Sequence, residues 1–193
     1  MLIIRFQYTH LIDNKRGNNQ TKRLLSIIGV ISLVATSTTS LVGCKTEDQL
    51  WLEKLKKEKE ENKINTTNQE IKDNLEWIAP QEKPFNEIDD KYYYVVWCGD
   101  KNQKWYLSKF NNDTKLEDGN EKKIDKLNNS TLSLYFYIDS SFPVLTTDIF
   151  SENIKIPWSS KSKYINSVYR WNLTKQEPDL IVDNDGNVKV KGE

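Results

Sequence analysis

Cys44 is the residue best placed to do chemistry, because of what precedes it. Lys22-Arg23 are followed by the apolar run Leu24 to Val34, the small polar stretch Ala35 to Ser40, and then Leu41-Val42-Gly43-Cys44. That order is a secretory signal of the kind that ends in a cysteine destined for acylation. The cations stay on the inner side and the apolar run enters the bilayer. Leu41, Val42 and Gly43 form the signal-peptidase recognition segment, with cleavage expected before Cys44. The expected product starts at a di- or triacylated Cys44. A permanent span needs about 20 predominantly apolar residues, and extending this run to Leu41 would bury Ser37, Thr38, Thr39 and Ser40 in lipid.

Other reactive constellations are missing from residues 44–193. The one histidine, His10, lies before the cleavage point. A processed chain therefore lacks the parts of Ser-His-Asp or Cys-His catalysis, helical zinc-protease motifs and most catalytic zinc sites. No Gly-rich phosphate loop is present either. The expectation is no catalytic residue, no metal ligand set and no cofactor. With Cys44 acylated, Cys98 has no intrachain partner, and within Tyr94-Val95-Val96-Trp97-Cys98 it reads as a buried structural thiol. Asp183-Asn184-Asp185-Gly186-Asn187 has the look of a calcium loop, but that loop needs an oxygen ligand where Ile181 stands and a glutamate where Gly192 stands. It reads as a tight turn, since glycine takes positive φ without steric cost.

The stretch from Lys22 to Cys44 resembles the leaders of surface lipoproteins of wall-less bacteria, the spiroplasmas in particular. It covers about an eighth of the chain. The body is similar to the same group through Tyr94-Val95-Val96-Trp97 and Val168-Tyr169-Arg170-Trp171. The resemblance implies an address and a modification: a lipid-anchored protein on the outer face of the cell membrane. It implies no activity and supplies no catalytic residues. One departure is the segment 1–20, which precedes the cations and mixes apolar Met1-Leu2-Ile3-Ile4 with polar Asp13 to Gln20; it reads as an upstream extension, with translation starting near Thr21.

Charge narrows the partners. The chain has 28 basic and 28 acidic residues, of which residues 1–43 hold five and one, leaving 23 bases against 27 acids and a net charge near −4 for residues 44–193. A mildly acidic chain without a basic cluster is a poor nucleic-acid binder, and it lacks the polybasic patch that adds electrostatic membrane attachment. Anchoring must come from lipid, at about 0.8 kcal/mol per buried methylene.

These residues need a scaffold. The sequence divides into the extension 1–20, the signal peptide 21–43, an anchor and charged helical stalk over 44–76, and a small antiparallel β domain over 77–193. Thr46 and Gln49 can form a capping box ahead of Leu50 to Glu61, a run of strong helix formers. Asn62 to Asn74 is polar and reads as disordered or frayed. Trp77 to Phe85, with two prolines, marks a boundary. Beyond it the fold class is mainly β, sandwich-like or blade-like. Lys91–Trp97 and Trp105–Phe110 predict a hairpin, Thr131–Ile138 a further strand, and Ile154–Trp158 a short edge segment. Asn111–Asn129 reads as hydrophilic connection. Tyr164–Trp171 and Leu180–Val182 read as the last hairpin, continued by Val188–Val190. The similar order around Trp97 and Trp171 suggests a weak repeat of a three-stranded unit.

Five tryptophans lie in the body, and Trp105 and Trp158 are the candidate ligand contacts, since Tyr and Trp dominate binding hot spots. Trp97 and Trp171 sit in strands and read as core. The functional expectation is a non-enzymatic surface lipoprotein that binds a host or surface protein or glycan. Alternatives are an accessory lipoprotein docked on a membrane transporter, or a glycosidase with two acids across a cleft.

Overall fold

The computed structural model describes residues 46–99, 104–174 and 176–193. The leader, Leu41, Val42, Gly43 and the acylation site Cys44 lie outside the described residues.

Helix α1, Glu47–Glu61, begins where the sequence says it should. Thr46 Oγ1 accepts from the Gln49 amide at 3.3 Å, and Gln49 Oε1 accepts from the Thr46 amide at 3.1 Å. Each bond satisfies an orphan N–H of the first turn. The helix ends at Asn62, whose N–H reaches Glu58 O.

The stretch after it differs from expectation. Residues 62–74 are not a frayed polar connection: Ile64 and Ile71 are buried, and α2, Gln69–Asn74, is capped by the Asn68 side chain accepting from the Ile71 amide. Strand β1, Leu75–Trp77, follows directly and carries the ordered body N-terminal of Trp77. Two well-spaced isoleucines in a polar run bury enough apolar surface to hold it.

The remaining strands are β2 Tyr92–Trp97, β3 Tyr106–Asn111, β4 Glu121–Leu127, β5 Ser130–Tyr135, β6 Val144–Ile149, β7 Ile154–Pro157, β8 Ile165–Trp171, β9 Leu180–Val182 and β10 Val188–Val190. They form two four-stranded antiparallel sheets, ordered β1-β8-β2-β3 and β4-β5-β6-β7, and a separate β9-β10 ladder. The architecture is mainly β, as read from the sequence. β2/β3 form the expected hairpin, and β7 is the expected edge segment.

Strand β2 explains the packing. Its side chains alternate between two faces, and both faces are covered. Tyr93, Val95 and Trp97 join Phe110, Ile165 and Val168 against Leu132, Leu134 and Leu145 of the second sheet. Tyr94 and Val96 point the other way, into a cluster with Tyr169, Trp171, Ile64, Ile71 and Leu180. This is why β2 reads as a continuous aromatic and β-branched run rather than a clean alternation.

Three expectations are corrected. β8 does not pair with β9; it lies between β1 and β2, with Tyr94 opposite Tyr169 and Val95 opposite Val168. The proposed repeat does not form, because its two aromatic strands are neighbours in one sheet, and β9-β10 makes its own ladder. Strand β4 occupies part of the supposed hydrophilic connection. As an edge strand it tolerates lysines on its open side, which hides it in the sequence.

Cys98 is buried, its thiol 3.5 Å from the Lys163 carbonyl oxygen.

Candidate functional site

Helix α1 has an apolar stripe but none of its residues is buried. Trp51, Lys54, Leu55 and Glu58 recur at the spacing of one helix face, and that face lines a groove of about 560 Å³. The rest of the described lining comes from Asn62 at the helix end, Trp77 on β1, the Pro80-Gln81 turn, the Trp158–Ser160 segment after β7 with Ser162, and Ile165, Asn166 and Ser167 on β8. The volume falls in the usual range for small-ligand sites, roughly 300–1,000 Å³.

Polar tethers hold the helix beside the sheet. Lys59 Nζ donates to Glu82 Oε2 at 2.7 Å and also to Glu76 Oε1. Glu76 is at the same time the ion-pair partner of Arg170, at 2.6 Å. Burial pushes the Glu76 carboxyl up, but the Lys59 hydrogen bond and the charges of Arg170 and Lys59 outweigh it and hold the group below the usual carboxylate range. Gln81 Nε2 donates to Glu58 Oε2 at 3.2 Å, and the Tyr169 hydroxyl donates to the Asn62 carbonyl at 3.2 Å.

The charge inside the groove is self-compensating. Lys54 Nζ lies 3.7 Å from Glu58 Oε1, and Gln81 takes the second carboxylate oxygen. Three indoles, three side-chain amides and several serine hydroxyls remain. The Trp77 indole N–H is buried and has no hydrogen-bond partner among the described residues, a state that costs free energy.

A β-bulge supplies one of the amides. The β2/β8 register slips between Val96 and Trp97, which skips Asn166. The extra residue turns outward; its Nδ2 donates to the Gly186 carbonyl at 3.0 Å while the side chain borders the groove.

Of the two tryptophans expected to contact a ligand, Trp158 borders this groove and Trp105 does not. Trp105 packs between two hydrophobic clusters and lies against the Asp183–Asn187 turn, where a Cβ on Gly186 would come within 3.1 Å of its indole. Two groove tryptophans escaped the sequence reading. Trp51 lies in the run of helix formers that reads as a charged stalk, and Trp77 at the residue that reads as the start of the domain boundary. The Trp51/Leu55 pair on one helix face, with no further apolar heptad, was the available signal for the first.

The acidic turn is occupied by its own chain. Asp183 Oδ1 accepts from the Asp185 and Asn187 amides at 3.0 and 2.9 Å, and Lys189 reaches Oδ2 at 2.8 Å. Lys189 and these amides hold the carboxyl well below its usual range. Among the described residues no cluster of three or more His, Cys, Asp or Glu is arranged to hold a metal ion.

Neither a family model, a curated protein nor a solved structure matches this chain.

Proposed function

We propose that this chain is a non-enzymatic binding module, carried on the outer face of a cell membrane by acyl chains on Cys44, and that the groove beside α1 is its recognition site. The observation that carries the second half is the helix face itself. An amphipathic helix ordinarily buries its apolar stripe against the core, yet Trp51 and Leu55 border open space shared with Trp77 and Trp158. Concave sites lined by aromatics with a few convergent polar groups are where small ligands bind. The sole carboxylate in the lining among the described residues, Glu58, is committed to Lys54 and Gln81, which favours recognition over acid–base catalysis at this place. The address rests on the Lys22–Cys44 leader.

Two measurements test the reading. Full-length chain expressed in a lipoprotein-processing host is expected to enter the detergent phase, and Cys44→Ser to leave it. Intact cells displaying the protein are expected to bind host surfaces less well when Trp51 and Trp158 are both replaced by alanine. Unchanged binding by that double variant would remove the groove from the account.

A further inference from the structure

We infer that the groove takes a neutral saccharide. This rests on the groove being the recognition site, and it names the ligand chemistry. Charge is the first argument. Among the described residues the only cation and carboxylate in the lining, Lys54 and Glu58, face each other, so an anionic or cationic ligand finds no unmatched countercharge there.

The second argument is the pairing of flat apolar surfaces with neutral hydrogen-bonding groups. Asn62, Gln81 and Asn166 bring amide oxygens to the lining, while their nitrogens donate to Glu58 and Gly186, and the serine hydroxyls both donate and accept. Such groups match hydroxyls, which also do both. Trp51 stands 44% exposed and Trp158 half-buried, so indole surface remains open to the C–H face of a sugar ring. A purely apolar ligand would cover the amide oxygens and the Ser167 hydroxyl, which has no partner among the described residues, without offering them a hydrogen bond, at a cost for each.

The third is the Trp77 indole N–H. Trp77 borders the groove, and its indole N–H, itself shielded from solvent, meets no acceptor among the described residues; a sugar hydroxyl is an acceptor suited to it once binding turns the ring toward the groove. An apolar peptide side chain is not.

The test uses the full-length lipidated chain in detergent micelles. Probes are free neutral oligosaccharides of glucose, galactose, mannose and N-acetylglucosamine, sialylated and sulfated oligosaccharides, phosphatidylcholine vesicles, and a host glycoprotein before and after enzymatic deglycosylation. A neutral oligosaccharide is expected to bind with a shift in tryptophan emission. Its affinity should be flat between low and high salt, since no net charge is exchanged. Trp51→Ala and Trp158→Ala should each weaken it at least tenfold. Trp77→Phe, which keeps a ring and deletes the N–H, should weaken it roughly threefold to tenfold, the range of one net hydrogen bond. Loss of glycoprotein binding on deglycosylation, with no free oligosaccharide bound, identifies a protein-borne glycan as the source and supports the same chemistry. Salt-sensitive binding of the anionic glycans, binding to vesicles alone, or no free oligosaccharide bound together with glycoprotein binding that is absent or unchanged by deglycosylation would overturn it. If the tryptophan variants still lose host-surface binding in that case, the groove survives as a site and only the saccharide is wrong. Thermal unfolding of each variant separates lost contact from lost fold.

Discussion

Glu76 on β1 and Arg170 on β8 are register partners, and their side chains close a 2.6 Å ion pair across the ladder. Lys59, at the end of α1, donates to the same carboxylate and to Glu82. One acidic side chain thus connects the edge of the sheet to the helix that borders the groove. Asn172 Nδ2 adds a further bond to Glu76 Oε2 at 3.3 Å.

Lys59→Met should therefore loosen α1 without unfolding the β domain, because α1 contributes no buried residue. Amide exchange is expected to rise across Glu47–Glu61 while β2 and β5 keep their protection. Equal loss in the helix and the core strands would contradict this. Glu76→Gln also removes the nearer countercharge of Arg170, leaving Asp89 at 3.7 Å, and the partly buried site makes about 1–2 kcal/mol the expected loss, read from urea denaturation at pH 7.

Acid should destabilise the fold through the same group. The Glu76 carboxyl is held below its unfolded value, so its contribution is fully present above about 4.5 and disappears as pH falls through the folded value. Glu121, lowered chiefly by its hydrogen bond from Lys155, has the same sign. Unfolding free energy measured from pH 7 to pH 3 is expected to fall below about pH 4.5, and Glu76→Gln should flatten part of that fall. A variant curve parallel to that of the natural chain would exclude Glu76 as a source.

Gly99 is required by close approach. A Cβ there would sit 2.3 Å from Ser130 Oγ and 3.0 Å from Leu127 Cδ1. Gly99→Ala should cost about 1–3 kcal/mol. Adding Ser130→Ala removes the nearer atom, along with a buried hydroxyl that has no partner, and should recover most of the loss. No recovery in the double variant would mean that the backbone, not the serine, sets the limit.

Trp97 ties the two sheets together. Its indole N–H donates to Ser108 Oγ at 2.7 Å, and that hydroxyl donates to Asp125 Oδ2 on β4. Trp97→Phe keeps an aromatic but leaves a void and takes from Ser108 Oγ the bond it accepts, and should cost about 2–4 kcal/mol by thermal or urea unfolding. A loss under 1 kcal/mol would show the link to be dispensable.

Gly186 has φ of 86°, and its Cα faces Asn166 Nδ2 and the Trp105 indole. Gly186→Ala combines a left-handed backbone with contact at 2.8 Å and should destabilise by about 1–3 kcal/mol. Chemical shifts of the Trp105 indole N–H are expected to move; silence there would separate Trp105 from the turn.

The sequence alone determined whatever depends on neighbours along the chain. Thr46 and Gln49 announce a helix start, and Lys91–Trp97 and Tyr164–Trp171 announce strands by their aromatic and β-branched side chains. Asp183–Gly186 announces a turn through glycine's access to positive φ. Tertiary structure decided what depends on distant partners. It put β8 beside β2 and β1 rather than β9, made an edge strand of the lysine-rich Glu121–Leu127, and ordered Ile64 and Ile71 under the sheet. It also brought Trp51, Trp77 and Trp158 to one groove. Local propensity fixes the conformation of a segment, but which face is covered, and by what, is set by burial across long loops, and no spacing within a segment encodes that.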